Sequence, residues 1–418
     1  MVSATDAQLN IPAEETFSIA HKQYKFNGLE DIASVLDDLK KRTNLKKVDL
    51  SGNSLGVECS KLLSEALEAH RDTLVEIDLS DLYTARLNTE IPQSLSYILP
   101  TLVKFPNLIK INLSDNAIGL QAIEPVESYL AEAVALQHLI LSNNGMGPFA
   151  GARIGTSLFK LAKAKADNGI TTSLKTFVCG RNRLENGSIN HLSVGLRNHK
   201  DLEIVRLYQN GIRPAGIAKL VSQGLSHNSS LKVLDLQDNT VTTVGADQIA
   251  IYLGRWPKLV EINFNDSLLK PRGSLLVSKA LSEVELPLLK SVRLQYNELE
   301  ADALEVIATT LSKGKLPKLT LLELNGNRFE EESEFVDQIK ETFETRGEGE
   351  LDELDELEEI DSDEDEDDDE DDDESQDALE EDLDLDQLEK ELSGLSVDEG
   401  KDASVDDLAA ELSKTHLK

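Results

Sequence analysis

Apolar residues recur along this chain at two nested spacings. Within a short block they stand at the first, fourth, sixth and eleventh positions, and the block itself returns many times. It reads LKKVDLSGNSLG from Leu45, LIKINLSDNAIG from Leu108, LQHLILSNNGMG from Leu136 and LKTFVCGRNRLE from Leu174. It continues as LEIVRLYQNGIR from Leu202, LKVLDLQDNTVT from Leu231, LKSVRLQYNELE from Leu289 and LTLLELNGNRFE from Leu319, with weaker copies from Leu74 and Leu259. The fourth and sixth positions (Val48 and Leu50, Leu139 and Leu141, Leu234 and Leu236) alternate as in a short strand, so both point inward while their neighbours face out. Between blocks the spacing turns helical. Leu62, Leu63, Ala66 and Leu67 share one helical face, as do Ile217, Leu220, Val221 and Leu225. The pattern predicts a unit of strand, turn and helix, present in ten copies.

The block is the leucine-rich-repeat template L-x-x-L-x-L-x-x-N-x-L. It predicts an α/β solenoid, a horseshoe or crescent with parallel strands on the concave side and helices on the convex side. Eight Asn (53, 116, 144, 182, 210, 239, 297 and 327) end the strands. A carboxamide there satisfies backbone groups that the turn would otherwise bury unpaired, which is a structural duty. Most steps between copies are 28 to 30 residues, but those from Leu74 and from Leu136 are 34 and 38. Insertions in a regular array often mark a working surface. Terminal copies need caps. Residues 16–41 suit the first cap, a short strand at YKF followed by the helix EDIASVLDDLKK. For the last cap, Phe335, Ile339 and Phe343 fall four apart on one helix face, and the fold is expected to end near Arg346. The expected organisation is a flexible segment 1–15, a repeat domain 16–346 and an acidic, mostly disordered tail 347–418. Tail leucines (379, 383, 388, 392, 408 and 412) are spaced for short amphipathic helices.

Charge sharpens this division. The chain has 42 Lys+Arg against 78 Asp+Glu, a net charge of −36. Between Glu348 and Asp386 stand 27 acidic residues and no Lys or Arg, whereas residues 1–347 carry a net charge of only −5. The acidic stretch cannot bury enough apolar surface to fold. Direct nucleic-acid binding is not expected, because phosphate backbones repel such a chain and no basic patch stands out. No apolar run is long enough to span a membrane, and no secretory signal is recognised at the N-terminus. Cys59 and Cys179 make neither a disulfide framework nor a metal cluster, which suits a reducing compartment. The sequence holds no phosphate loop, no H-E-x-x-H and no G-x-S-x-G motif; GMGPFAG at Gly145 has the wrong glycine spacing and more simply relieves a turn. No cofactor and no metal site are expected. The reading is a binding scaffold whose chemistry takes place on a partner.

Strings outside the template are more specific. TARLNTEIP in the second copy, SNNGMGP in the fourth, CGRNRLENGS in the fifth, then LQDNT, LQYNE, LNGNRF and TRGEGELDELDELEE, resemble the fungal Ran GTPase-activating protein (RanGAP) family over roughly residues 17–418. The resemblance implies a monomeric activator of Ran, the small GTPase of nuclear transport. It would act on Ran in its GTP form, alone or with a Ran-binding protein. It would not be an enzyme itself, and would keep cytoplasmic Ran in the GDP state. The expected location is cytoplasmic, with perinuclear placement or shuttling left open.

Activation of a small GTPase reaches ~10⁵-fold, and the usual route is an arginine inserted in trans. Arg86, expected to be exposed in a copy whose Asn position holds Leu82, is the tempting finger. The resemblance implies instead that no arginine is inserted and that Asn143 orients the catalytic glutamine of Ran. Arg86 is then expected to position the interface, and Asn88 stands where the family carries Lys, which weakens a role for a cation there. Asn143 and Arg86 are the residues assigned to catalysis. Asp115, Arg181, Arg183 and Asp238, beside the Asn positions, are expected partner contacts, or else solvated edge charges. The alternative is a non-catalytic acidic leucine-rich-repeat scaffold for histones or for inhibition, a class with shorter repeats that lacks TARL and CGRNRLENGS.

Overall fold

The computed structural model describes residues 8–358 and 384–394. The expected tail helices at Leu379, Leu383, Leu408 and Leu412 lie outside these residues, as does most of the expected acidic tail. The chain forms two compact units. One runs to Arg183 and includes Asn198–Leu207; the other comprises Leu184–Arg197 and the chain from Tyr208 onward.

Each block becomes a three-residue strand. In the first unit β1 (Thr16–Ser18) is followed by β2 (Lys25–Phe26), β3 (Lys47–Asp49), β4 (Ser54–Leu55), β5 (Glu76–Asp78), β6 (Lys110–Asn112), β7 (His138–Ile140), β8 (Thr176–Val178) and β9 (Ile204–Arg206). The second holds β10 (Val233–Asp235), β11 (Glu261–Asn263), β12 (Ser291–Arg293), β13 (Leu321–Glu323) and β14 (Glu350–Leu351). Within each unit the block strands pair in parallel, in chain order. The register aligns Val48, Ile77, Ile111, Leu139, Phe177 and Val205 in one unit, and Leu234, Ile262, Val292 and Leu322 in the other. All ten are buried. Burial of such a side chain contributes ~1.5–3 kcal/mol, and the repeat brings these residues into one row even where a step lengthens from 28 to 38 residues, as between Leu139 and Phe177.

Helices form the second layer: α1 (Leu29–Lys41), α2 (Val57–Leu67), α3 (Glu90–Leu102), α4 (Ile123–Glu132), α5 (Gly147–Asp167) and α6 (Ile189–Arg197). They are followed by α7 (Pro214–Lys219), α8 (Thr242–Tyr252), α9 (Lys270–Glu283), α10 (Ala301–Ser312) and α11 (Glu334–Arg346). Ile217, Leu220, Val221 and Leu225 are all buried, as their spacing predicts, while Leu62 is only half-buried beside fully buried Leu63. The 38-residue step is taken up by α5, which at 21 residues is far longer than its neighbours α4 and α6.

The Asn positions carry the predicted structural duty. Asn116 Nδ2 donates to Leu113 O (3.0 Å) and to Leu79 O of the preceding copy (2.8 Å). Its Oδ1 accepts from Leu82 N (2.8 Å), while Asn116 N donates onward to Asn144 Oδ1 (2.9 Å). Asn297 repeats the scheme in the second unit, with Phe264 O at 2.7 Å and Asn327 Oδ1 at 3.0 Å. These bonds join successive turns where water is excluded, so each removes a buried unpaired group.

Both ends differ from expectation. The first cap contributes β1 to the main strand layer through pairing with β3, while the expected YKF strand, β2, pairs with β4 in a separate two-stranded sheet. Lys46 N donates to Glu15 O (2.8 Å), so order begins before residue 16. At the other end Val336, Ile339 and Phe343 are buried and Phe335 is only half-buried. Arg346 does end a helix, stopped by Gly347 at φ 71°. The chain nevertheless goes on to pair β14 with β13. The Asp352 carboxylate accepts from Leu324 N (2.7 Å), Asn325 N (3.0 Å) and Gln295 Nε2 (2.8 Å). It stands in for the backbone acceptors that a further copy would have supplied. Leu354 is buried, and Arg328 bridges Glu358 at 3.3 Å. The first acidic residues after Arg346 are thus part of the cap rather than of a free tail.

Candidate functional site

The residue before each Asn position adopts a left-handed backbone. In the first unit these are Gly52, Asp81, Asp115, Asn143 and Arg181, with φ between 50° and 68°; in the second, Gln209, Asp238, Asp266, Tyr296 and Gly326 do the same. A non-glycine residue there costs ~1–2 kcal/mol, and Asp and Asn bear the cost best. The bond that offsets it is regular: Asp115 N donates to Ser142 O and Asn143 N to Gly180 O, both at 2.9 Å. This conformation turns the side chain out at the edge where strands end, so a row of edge groups forms one repeat apart.

Along the first unit that row reads Asp81, Asp115, Asn143, Arg181. Asn143 is exposed, and its Nδ2 donates to Asp115 Oδ1 at 2.7 Å. A carboxylate only accepts, so the amide must face it with nitrogen, and Asn143 Oδ1 is left without a protein partner among the described residues. Thr84 Oγ1 lies 2.8 Å from Asp115 O and 2.7 Å from Asp81 Oδ1, donating to one at a time. It ties the 82–89 loop to the Asp115 turn. Arg181 and Arg183 are exposed, both left-handed, and make no ion pair among the described residues. The edge therefore passes from acid to base across Asn143.

Arg86 is not exposed as expected but half-buried, with its guanidinium turned onto the first cap. Nη1 donates to Asn27 Oδ1 (2.9 Å), and Nη2 to Phe26 O (2.9 Å) and Ser54 O (3.2 Å). Gly56 makes this possible, since a Cβ there would stand 3.2 Å from Nη1 and 3.1 Å from Phe26 O. Arg86 thus pins the 82–89 loop to β2 and β4. Asp238 lies in the second unit and accepts from Gln209 Nε2 at 2.7 Å. Next to it, Asp266 has its carboxyl pKa raised by partial burial and by the Asp238 charge.

Several other charged groups of the first unit are internally paired. On the strand face, buried Glu76 bridges Lys47 (2.9 Å) and Lys110 (3.5 Å). His138 lies 3.0 Å from Thr176 Oγ1, and burial, helped by Lys110 and Lys175, pushes its pKa down to about 4. An open cavity of about 900 Å³ lies at the opposite edge, where strands begin, lined by Asn44, Asp72, Asn107, Lys165 and Ile170 among others. Lys165 is buried there, donating to Val134 O (2.8 Å) and Thr172 O (3.2 Å), and burial lowers its pKa to about 8. The Cys179 thiol is pushed up to about 12 by burial, so it is no ready nucleophile.

The Leucine Rich repeat family matches residues 227–250. Over 337 residues, 79% of this chain and 83% of its counterpart, the sequence is 46% identical to Ran GTPase-activating protein 1 of Saccharomyces cerevisiae. The chain belongs to the Ran GTPase-activating protein family. The Ran GTPase-activating protein of Drosophila melanogaster is 30% identical over 76% of this chain, which spans about half (53%) of that longer protein. Among solved structures, the leucine-rich-repeat protein LegL7 of Legionella pneumophila superposes with a TM-score of 0.41 at 14% identity, covering 73% of this chain and 93% of that one.

Within this chain, the edge brings together Asp115 and Asn143 from adjacent copies, with Arg181 following in the next. It adds two residues that the sequence reading missed, Asp81 and Thr84. Asp81 carries a readable signal, an acid directly before an Asn position in the repeat. Thr84 carries none, because only the folded loop brings its hydroxyl to the Asp115 carbonyl.

Proposed function

We propose that this chain stimulates GTP hydrolysis on Ran, as the names of its relatives state, and that Asn143 is the group it presents to the partner's active site. The observation that carries the second part is the polarised amide of Asn143, with nitrogen held by Asp115 and oxygen open at the surface. Small GTPases are slow partly because their glutamine holds the attacking water loosely. Asn143 Oδ1 can accept from the Nε2–H of that glutamine. The glutamine Oε1 is then turned toward the water, where it accepts a proton's hydrogen bond and fixes the line of attack. Positioning an existing group recovers a large part of a ~10⁵-fold activation, near ~7 kcal/mol, without any new charge.

Arg86 takes the role of a loop anchor in this reading. Its donors serve the first cap, and inserting it into a partner would break three hydrogen bonds. Asp81 and Asp115 on one side, Arg181 and Arg183 on the other, set the orientation of Ran–GTP, with Asp238 a further contact from the second unit. The activator works as a monomer in the cytoplasm, alone or with a Ran-binding protein, and the chemistry remains in Ran.

Single-turnover GTP hydrolysis by Ran, with Ras and Rho as controls, tests the reading. Ran-selective acceleration that collapses in Asn143→Ala, with binding kept, supports both parts. Acceleration that survives Asn143→Ala but is lost in Arg86→Ala returns the finger to first place. No acceleration at all removes the activator and leaves the acidic histone scaffold.

A further inference from the structure

Most helices of the second unit keep one side in solvent. In α8, for example, Ile249 is buried while Ile251 is exposed. α6 keeps no such side: Leu192, Ser193, Val194, Gly195, Leu196 and Arg197 are all buried in succession. A helix covered all round needs an element over the face turned away from the strands. That element is a helix from the acidic C-terminal region, Leu385–Gly394. It packs on α6 and buries Leu385, Leu388 and Leu392, its residues at i, i+3 and i+7.

The contact is also specific in charge. Arg197, the last residue of α6, is only 8% exposed. Its Nε donates to Glu389 Oε2 at 2.7 Å, and its Nη2 to Asp386 Oδ1 at 2.9 Å and to Leu385 O at 3.2 Å. Glu389 is itself largely covered, with 29% of its side chain exposed. A buried guanidinium is tolerated only when paired and hydrogen-bonded, so these carboxylates complete the site rather than decorate it. Apolar anchors at helical spacing with a charged clamp at one end are how a helix is recognised in a groove.

We propose that the outer face of α6 is a binding site for an acidic amphipathic helix with leucines at i, i+3 and i+7 and carboxylates at i+1 and i+4, and that residues 385–394 occupy it in cis. A partner carrying that pattern enters by displacing the chain's own helix. Covalent attachment places the resident helix at an effective concentration of order mM, so only a tightly bound or locally concentrated partner helix succeeds. The site is argued from α6 and this helix, and is independent of how Ran is activated.

The test uses the full chain. Leu385→Ala, Leu388→Ala and Leu392→Ala together vacate the face without altering it. A fluorescein-labelled peptide of residues 384–394, followed by anisotropy, should bind this variant at least ~10-fold more tightly than it binds the wild type. Adding Arg197→Ala to the vacated chain should abolish capture, and a scrambled peptide of equal composition should not bind. Equal binding to both chains, no capture by the vacated one, or capture of the scrambled peptide would overturn the proposal. Concentration-dependent dimers in place of peptide capture would assign the face to a second copy, and would equally overturn it. Independently of peptide affinity, hydrogen exchange should show amides 388–392 protected in the wild type and unprotected in Arg197→Ala; protection that is the same in both would also count against it.

Discussion

Asn143 in the first unit and Gln209 in the second occupy the same position of the repeat. Both are exposed, both are left-handed, with φ of 53° and 52°, and both donate a side-chain amide to a carboxylate at 2.7 Å. Their differences are small and consequential. Asn143 reaches back to Asp115 in the preceding copy, whose turn also holds the 82–89 loop through Thr84; Gln209 reaches forward to Asp238. Gln209 carries one more methylene and one more free torsion, so a single hydrogen bond leaves its oxygen less defined. The amide–carboxylate pair is therefore a general way to finish this turn, and its presence alone marks no site. What distinguishes Asn143 is a short side chain fixed on a turn that is itself anchored.

The strongest way to break this comparison is to truncate both amides. Asn143→Ala should lower stimulated single-turnover hydrolysis on the order of 10³-fold, about 4 kcal/mol at ~1.4 per decade, while Gln209→Ala stays within about twofold. Equal losses would show that the position, and not the anchored turn, is what matters. Next in size, Asn144→Ala should cost on the order of 3 kcal/mol in denaturant unfolding, because it strands Asn116 N and Ile118 N and removes one of the two side-chain donors to each of Leu113 O and Leu141 O. Asn143→Ala, one residue away, strands no buried group and should cost less, on the order of 1 kcal/mol, for placing Ala in a left-handed backbone.

A third test concerns acid. Buried His199 accepts from Leu174 N at Nδ1 and reaches Leu158 O through Nε2, an arrangement that only the neutral ring satisfies. Burial lowers its pKa from 6.5 to about 4. The unfolded chain then binds the proton first, so stability should be flat above pH 6.5 and fall as pH drops towards 4, by up to ~3 kcal/mol from this one ring. Thermal unfolding across that range should show the fall, and His199→Gln should make it shallower by that share, while His138 and His191, whose pKa values burial also lowers to about 4, keep the rest. The smallest expected effect is at Asp115. Asp115→Ala should reduce kcat about tenfold with little change in KM, and Asp115→Asn, which can still accept from Asn143, should recover part of it. A change in KM alone would make Asp115 a docking charge instead.

Legibility followed the range of the interactions. The repeat, the buried rows and the eight structural Asn could be read because each is set by residues within one block and then copied. Arg86 was read as exposed because its partners lie 32 to 60 positions away, two of them, Phe26 and Asn27, in a cap with no repeat pattern. The polarity of the Asn143 amide was hidden for the same reason, since Asp115 is 28 residues back and reaches it only through the register of two turns. Acidity misled at the C-terminal end. Composition treats Asp352 like any other residue of the acidic run, whereas its position beside β13 makes it a cap.

By itself, then, the order of residues determined the strand–turn–helix unit, its stacking into parallel strands, and the family, because a period repeated ten times leaves one economical way to bury its leucines. The tertiary structure alone decided which way the Asn143 amide points, what Arg86 holds, and where the Leu385–Gly394 helix rests on Arg197. Each of these depends on a few pairs of groups far apart in the chain. A hydrogen bond or ion pair of that kind leaves no periodic trace in a sequence, and only the folded backbone brings its two ends within 3 Å of each other.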